Sequence, residues 1–279
     1  MVKFLKMNGN GNDFVIIDSI QENFDPSPEQ ISWIAYRRFG IGCDQVIILK
    51  KSEKADIFME VYNADGSQSG ACGNATRCVG HLIMGASKPQ ASIETKTGIL
   101  YATRAENDEV SVNMGEPFLQ WDKIPIAQDL DIMALPIEMG PLSQPVAVGM
   151  GNPHMVFFVD DVSSFKLRQY GRHLEHHSLF PERANVSAVQ IINRSHLKMK
   201  IWERGVGKTL SCGTAACAAL VAAQLHDLAD NKAIVEQPGG KLTIEWKDEG
   251  PVIMTGKVAV SYQGEFHPQD LPLTRPDAE

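Results

Sequence analysis

Cysteine is scarce in this chain: there are five in 279 residues, and no two of them are spaced as Cys-x-x-Cys. Structural zinc sites draw on closely spaced ligand pairs, so this spacing argues against one, and no metal is expected. An odd, small number of thiols with no export signal also argues against a disulfide framework and for free thiols in a reducing compartment. Positive charge is short as well, with 26 Lys and Arg against 34 Asp and Glu and a net charge of -8. That balance speaks against nucleic acid or an anionic membrane as a partner, and it leaves a small zwitterionic substrate unaffected. Long apolar runs are missing too: the longest, Ala215 to Ala223, is far too short to span a bilayer. The opening "MVKFLKMNGNGNDF" has neither an apolar h-region nor a cleavage site. The expectation is a soluble cytoplasmic protein.

Short β-branched and aromatic runs are plentiful and are separated by Gly, Asn and Asp: "VKFLKM", "DFVIID", "QVIILK", "DIFMEVYN", "SIETKT", "ILYATRA" and "EVSVNM", then "HMVFFVD", "VSAVQIIN", "KMKIWERG", "KLTIEW" and "VIMTGKVAVSY". Three helices stand out among them. "SPEQISWIAYRRFG" offers Ser27 as N-cap, Pro28 at the first helical position and Gly40 as its stop. After Cys72, Ala75, Cys78, Val79, Leu82 and Ile83 follow helical spacing. After Cys212 the pattern is apolar nearly all round, which predicts a helix buried on every side. Strands wrapped around a central helix, twice over, would account for both.

A repeat supports that reading. An offset of 140 residues places Cys212 on Cys72, Gly213 on Gly73, Thr214 on Asn74, Asn152 on Asn12, Asn185 on Gln45 and Glu203 on Asn63. The matches cluster at polar residues beside glycines, so one cysteine belongs to each half. Cys72 and Cys212 each stand at the mouth of a predicted helix, where unpaired backbone N–H groups stabilise an anion. A thiol placed there is expected to have a lowered pKa, and the same N–H groups can hold a carboxylate. Cys78 and Cys217, inside the helices, read as packing residues.

Two such thiols across a carboxylate-holding cleft suit inversion at an α-carbon, one removing a proton and the other returning one to the opposite face. Covalent catalysis by one cysteine with His154 competes, but it leaves the second cysteine unexplained. "GVGKT" lacks a glycine at Trp202 and so is an incomplete phosphate loop. "RHLEHH" at 172–177 fits no zinc motif and reads as a solvated face. A two-lobed amino-acid-binding protein would also set polar groups across a cleft, but two activated thiols speak against it.

The blocks "KMNGNGNDFVIID", "GIGCDQ", "YNADGS", "ACGNATRCVG", "GNPHMVFFV", "ERANVSAVQ" and "WERGVGKTLSCGTAACAA" together resemble the diaminopimelate epimerase family. The resemblance implies an α+β fold of two pseudo-symmetric domains, each a β-barrel-like wrap of strands around a central helix. It places the N-terminal domain at 1–118 plus 264–279, the C-terminal domain at 119–263, and the active site in the cleft between them. It implies an isomerase that interconverts L,L- and meso-2,6-diaminopimelate by a cofactor-independent (PLP-independent) two-base mechanism, toward lysine and cell-wall precursor. A related racemase of another amino acid, such as histidine, is the alternative.

Carried over by position, Cys212 is the base and Cys72 the acid from L,L to meso, with roles exchanged in reverse. Asn12, Gln45, Asn63, Gly73, Asn74, Asn152, Asn185, Glu203, Arg204, Gly213 and Thr214 form the substrate shell, and His154 and Glu203 tune the cysteines. Within that shell Arg204 suits a distal carboxylate and Glu203 a distal ammonium. The resemblance also implies a homodimer with Tyr262 at the contact. Ala75, Thr76, Lys208, Ser211 and Ala215 depart from the family pattern, and the substitutions at Ala75 and Ala215 are matched by the 140-residue offset.

Overall fold

The computed structural model describes residues 1–247 and 249–271. Met1–Val112, together with the described residues from Lys257 to Leu271, forms one compact unit, and Asn113–Gly256 forms a second. In the first, β1 (Val2–Gly9) and β2 (Asn12–Asp18) make an antiparallel hairpin, and α1 (Ser19–Glu22) and α2 (Pro28–Ala35) lead into β3 (Gln45–Lys50), parallel to β2. Strands β4 (Ile57–Asn63) and β5 (Gln68–Ser69) follow antiparallel. The chain then enters α3 (Gly73–Met84) and returns through β6 (Gln90–Thr95), parallel to β4, to β7 (Gly98–Arg104) and β8 (Val110–Asn113).

The second unit opens with the hairpin β9 (Glu138–Met139) and β10 (Leu142–Ser143), then repeats the same order. Strands β11 (Val146–Gly149) and β12 (Pro153–Phe158) are followed by α4 (Leu167–Glu175), β13 (Asn185–Asn193), β14 (His196–Glu203) and β15 (Gly207–Lys208). Helix α5 (Gly213–Leu225) and strands β16 (Lys232–Gln237), β17 (Gly240–Glu245) and β18 (Ile253–Gly256) complete it. The parallel registers also repeat: Phe14 lies opposite Gln45, and His154 opposite Asn185, each pair 140 residues from the other.

The burial pattern explains the apolar strands. In β3 four successive residues, Val46 to Leu49, are buried, because α2 covers one face: Ile31 and Ile34 pack with Val15, Ile17, Val46 and Ile48. A strand covered on both faces reads as a continuous apolar run rather than an alternating one. Helix α5 packs against β11–β14 and β16–β18, and its residues from Ala215 to Ala223 are all buried, as its all-round apolar sequence predicts. Helix α3 packs against β1, β6 and β7.

Several details differ from the sequence reading. The units divide at 112/113 and 256/257, not at the expected 118/119 and 263/264, and the second division precedes β19 (Ala259–Phe266), which pairs along β1 from Phe266–Val2 to Ala259–Asn8. The end of the expected range, 272–279, lies outside the described residues. Helix α2 begins as expected, with Ser27 and Gln30 forming a capping box, but it ends at Ala35, since Tyr36 has extended dihedrals. Gly40 instead folds back under the helix end: its N–H donates to the Tyr36 carbonyl, and a Cβ there would collide with the Trp33 carbonyl. "VIMTGKVAVSY" is two strands, and both β16 and α4 were missed. Among the described residues, no helix is long and apolar enough to cross a membrane.

Candidate active site

The two cysteines singled out by the repeat cap the two inner helices with nearly the same backbone. Cys72 has φ -146° and ψ 114°, and Cys212 has φ -138° and ψ 122°. Each carbonyl accepts the first helical bond, from Thr76 N–H at 2.9 Å and from Ala216 N–H at 3.1 Å. Neither thiol makes a full side-chain capping bond, although the Ala215 N–H is near enough to Cys212 to favour its thiolate. The hairpin turns that carry Asn12 and Asn152 also match. Gly11 and Gly151 both sit at φ 79°, a left-handed conformation that glycine adopts at no steric cost.

In the first unit the half-buried Cys72 thiol donates weakly to Asn12 Oδ1 at 3.8 Å, and Asn74 Nδ2 donates to the same oxygen at 3.2 Å. Asn74 is held in turn by the wholly buried Arg77, whose guanidinium donates to its Oδ1 at 2.7 Å. The nitrogen of the same amide, Asn12 Nδ2, donates to Asp44 Oδ2 at 3.0 Å. Beneath it lies an ionic cluster in which Asp13 bonds Lys6 at 2.6 Å and Arg37 at 2.6 and 2.9 Å, and Arg37 also reaches Asp44 at 2.7 Å. Burial raises the Asp13 pKa, yet the hydrogen bonds and charges of Arg37 and Lys6 hold it well below the usual carboxylate range. Gln45 Nε2 donates to Asn63 Oδ1 at 3.1 Å, so these two expected shell residues sit side by side at the sheet end.

In the second unit Cys212 is buried, with Sγ 3.4 Å from Thr214 Oγ1. Its backbone is fixed by Gln237, whose Oε1 accepts Cys212 N–H at 2.7 Å and whose Nε2 donates to Cys212 O at 3.3 Å. Burial, followed by the neighbouring charge of Glu203, pushes the Cys212 pKa well up, although Thr214 and the Ala215 N–H pull it down. The expected lowering at a helix mouth is therefore present as a contribution but is outweighed, and Cys212 is a thiol at neutral pH. Glu203 accepts a short hydrogen bond from Thr209 Oγ1.

His154 is fully buried and neutral. Burial first, and the Arg204 charge second, bring its pKa down to about 3, and its Nε2 pairs with Asn152 Oδ1 at 2.8 Å. His154 is thus paired with Asn152, and the charge of Glu203 is among the causes that raise the Cys212 pKa. Asn185 accepts the Arg204 N–H at 2.9 Å and donates to Pro153 O at 3.1 Å, so its amide acts on the backbone that presents Arg204. The exposed Arg204 guanidinium donates to Glu182 O at 3.0 Å. A cavity of about 240 Å³ is lined by Asn152, Arg204, Gly151, Pro153 and Lys123, among others.

Sequence reasoning missed Gln237 and Asp44, which anchor Cys212 and Asn12. The identity of Asp44 within "GCDQ" was a usable signal, whereas nothing local marks Gln237, which lies 25 residues from its partner. None of the five cysteines is in a disulfide, and among the described residues no group of three His, Cys, Asp or Glu side chains could hold a metal ion. Gly73 and Gly213, each next to its cysteine, are buried in the first helical turn.

Comparison with known proteins agrees with the duplicated fold. Solved structures with this fold include a phenazine biosynthesis protein of the PhzF family from Bacillus anthracis, at TM-score 0.69 and 17% identity over 95% of this chain and 99% of that one. A hydroxyproline epimerase from Agrobacterium vitis matches at TM-score 0.70 and 14% identity, covering 94% and 91%. Among curated proteins, the diaminopimelate epimerase of Rhodospirillum centenum is 44% identical over 277 residues, covering 98% of this chain and 95% of that protein. That of Caulobacter vibrioides is 47% identical, covering 94% and 96%. The diaminopimelate epimerase family model matches twice, over residues 4–119 and 146–261, once for each cysteine-capped helix. With relatives this similar along nearly its whole length and a double match that follows its own internal repeat, the chain belongs to the diaminopimelate epimerase family.

Proposed function

We propose that the protein interconverts L,L- and meso-2,6-diaminopimelate by removing the α-proton with one cysteine and returning a proton to the opposite face with the other. The observation that carries this reading is the recurrence of one cysteine N-cap, with matching dihedrals, in each unit of a chain of this family. The reading requires Cys72 and Cys212 to reach opposite faces of one α-carbon. The first-turn N–H groups at Gly73, Asn74, Gly213 and Thr214 supply donors for the substrate carboxylate, which takes up charge as the proton leaves. An acid–base pair with that electrostatic support completes the inversion with no further cofactor chemistry.

Arg204 and Glu203 would read the distal carboxylate and ammonium, with Asn12, Gln45, Asn63, Asn152 and Asn185 shaping the rest. Cys212 starts protonated, the form needed when it acts as donor in the meso-to-L,L direction. In the other direction it must first lose that proton. An ammonium paired to Glu203 offsets one of the charges that hold the proton on, so substrate binding favours the thiolate.

Incubation with L,L-diaminopimelate in heavy water under reducing conditions tests the reading. Deuterium at the α-carbon and meso product are expected, and the absence of both from folded protein would sink it. We further propose that the enzyme works in the cytoplasm as a homodimer through β19, where Val260 and Tyr262 are half exposed. Tyr262→Asp should shift the mass seen by light scattering toward the monomer, and an unchanged mass would reject that contact.

A further inference from the structure

The turn that carries Glu203 and Arg204 is gripped from behind by a carboxylate that the sequence assigns to a solvated face. Glu175, the last residue of α4, is 4% exposed. Its Oε2 accepts Trp202 Nε1–H at 2.8 Å and its Oε1 accepts Gly205 N–H at 2.8 Å, so the two donors bracket Glu203 and Arg204. The Glu175 carbonyl accepts Ala184 N–H at 3.1 Å, next to Asn185, which itself holds the Arg204 N–H. The helix packs closely there, since a Cβ on Gly171 of α4 would run into the Trp202 indole.

The first unit provides a control within the same chain. At the 140-residue offset Ala35 stands for Glu175, Tyr62 for Trp202, Ala64 for Arg204 and Asp65 for Gly205. Ala35 is buried at the same point of α2, so this fold closes there without a carboxylate. A buried carboxylate is costly unless its oxygens are satisfied, and Glu175 appears in the half whose turn carries a guanidinium.

We propose that Glu175 is a positioning residue for the substrate's distal end, setting the Glu203–Arg204 turn so that its two side chains meet the distal amino acid group. The proposal rests on the epimerase reading above. Its test compares wild type with Glu175→Gln, which keeps one acceptor but sets a donor against an N–H, and Glu175→Asp, which keeps the charge but is too short for both donors.

In both variants KM for diaminopimelate should rise about tenfold, since small misplacements of a positioning group are costly. The kcat per folded molecule should fall by less than about threefold, separating lost binding from a lost catalytic step. Discrimination against lysine, which lacks the distal carboxylate, should shrink with the same factor when α-proton exchange is followed. An unchanged KM in folded variants, or a loss of kcat alone, overturns the proposal. So does failure of both variants to fold, which would make Glu175 a requirement of the fold. No exchange in wild type overturns the epimerase reading and this proposal together, whereas exchange in wild type with unchanged KM in the variants overturns this proposal alone.

Discussion

The two units share an element order, a strand register and a cysteine N-cap, yet they surround their thiols with different chemistry. Cys72 is half-buried and faces an asparagine supported by an ionic cluster of Lys6, Asp13, Arg37 and Asp44. Cys212 is buried beside Glu203 and Thr214, and a neutral amide, Gln237, anchors its backbone. Matched positions that differ include Asn63 against Glu203, Ala64 against Arg204, Ala35 against Glu175, and Phe14 against His154. The shared backbone therefore presents one thiol in each unit, and the residues around it differ in what they offer that thiol. The first unit supplies a thiol and amides, while the second also carries Glu203 and Arg204, the charged pair that the proposed function assigns to a second amino acid group.

Removing either thiol should break the comparison most severely, because the reading gives the halves equal weight in turnover. Cys72→Ala and Cys212→Ala are each expected to lower kcat/KM by about 10²–10⁴-fold, the range of a lost general acid or base. A variant that kept near-normal turnover would leave its cysteine a packing residue and end the two-base account. Next in size is Arg204→Ala, which copies Ala64 of the first unit. Loss of a charge-assisted pair of about 1.5–3 kcal/mol should raise KM roughly 10- to 100-fold with a smaller change in kcat. An unchanged KM would mean that the two turns do not differ in substrate reading.

Glu203→Gln probes the thiols without substrate. Because burial and the Glu203 charge both raise the Cys212 pKa, removing the charge should move the onset of its thiolate absorbance to lower pH. The thiolate forms as pH rises, so at a fixed alkaline pH the variant should carry more Cys212 thiolate than wild type, with Cys72→Ala as background to isolate the signal. A titration that does not move would remove Glu203 from the surroundings of Cys212.

The sequence carried the repeat because polar identities beside glycines survive at a constant offset, and the register of Gln45 and Asn185 follows that offset in the structure. The inner helices were legible from their apolar periodicity and the cysteines from their place before Gly73 and Gly213. Helix α4 was not, although its buried residues Leu167, Gly171, Leu174 and Glu175 lie on one helical stripe. A glycine and a glutamate in that stripe hide the apolar pattern, and what makes them tolerable, the Trp202 indole, lies 27 residues away in sequence from Glu175. The Cys212 pKa failed for a related reason. A helix mouth can be read locally, but burial is a property of the folded unit, and here it outweighs the local donors.

The last contrast concerns the buried ring pair and is read in stability, leaving turnover aside. His154 stands where the first unit has Phe14, and both rings are fully buried. The folded protein keeps the imidazole neutral down to about pH 3, through burial and the Arg204 charge, whereas the unfolded chain takes up a proton below about 6.5. The unfolded state thus binds more protons across that window, and stability contributed by the neutral ring is present above about pH 6.5 and lost as pH falls toward 3. A single such proton gives a slope of about 1.4 kcal/mol per pH unit. His154→Phe deletes the titration and restores the ring of the first unit. It also removes the Nε2 bond to Asn152, a loss of about 1 kcal/mol that does not depend on pH above 6.5. Urea unfolding from pH 8 to pH 4 should therefore show the variant slightly weaker than wild type at high pH, with a shallower decline below 6.5. Parallel declines would show that the imidazole takes up its proton in the folded protein as readily as in the unfolded chain, and the two buried rings would then impose the same acid dependence on their units.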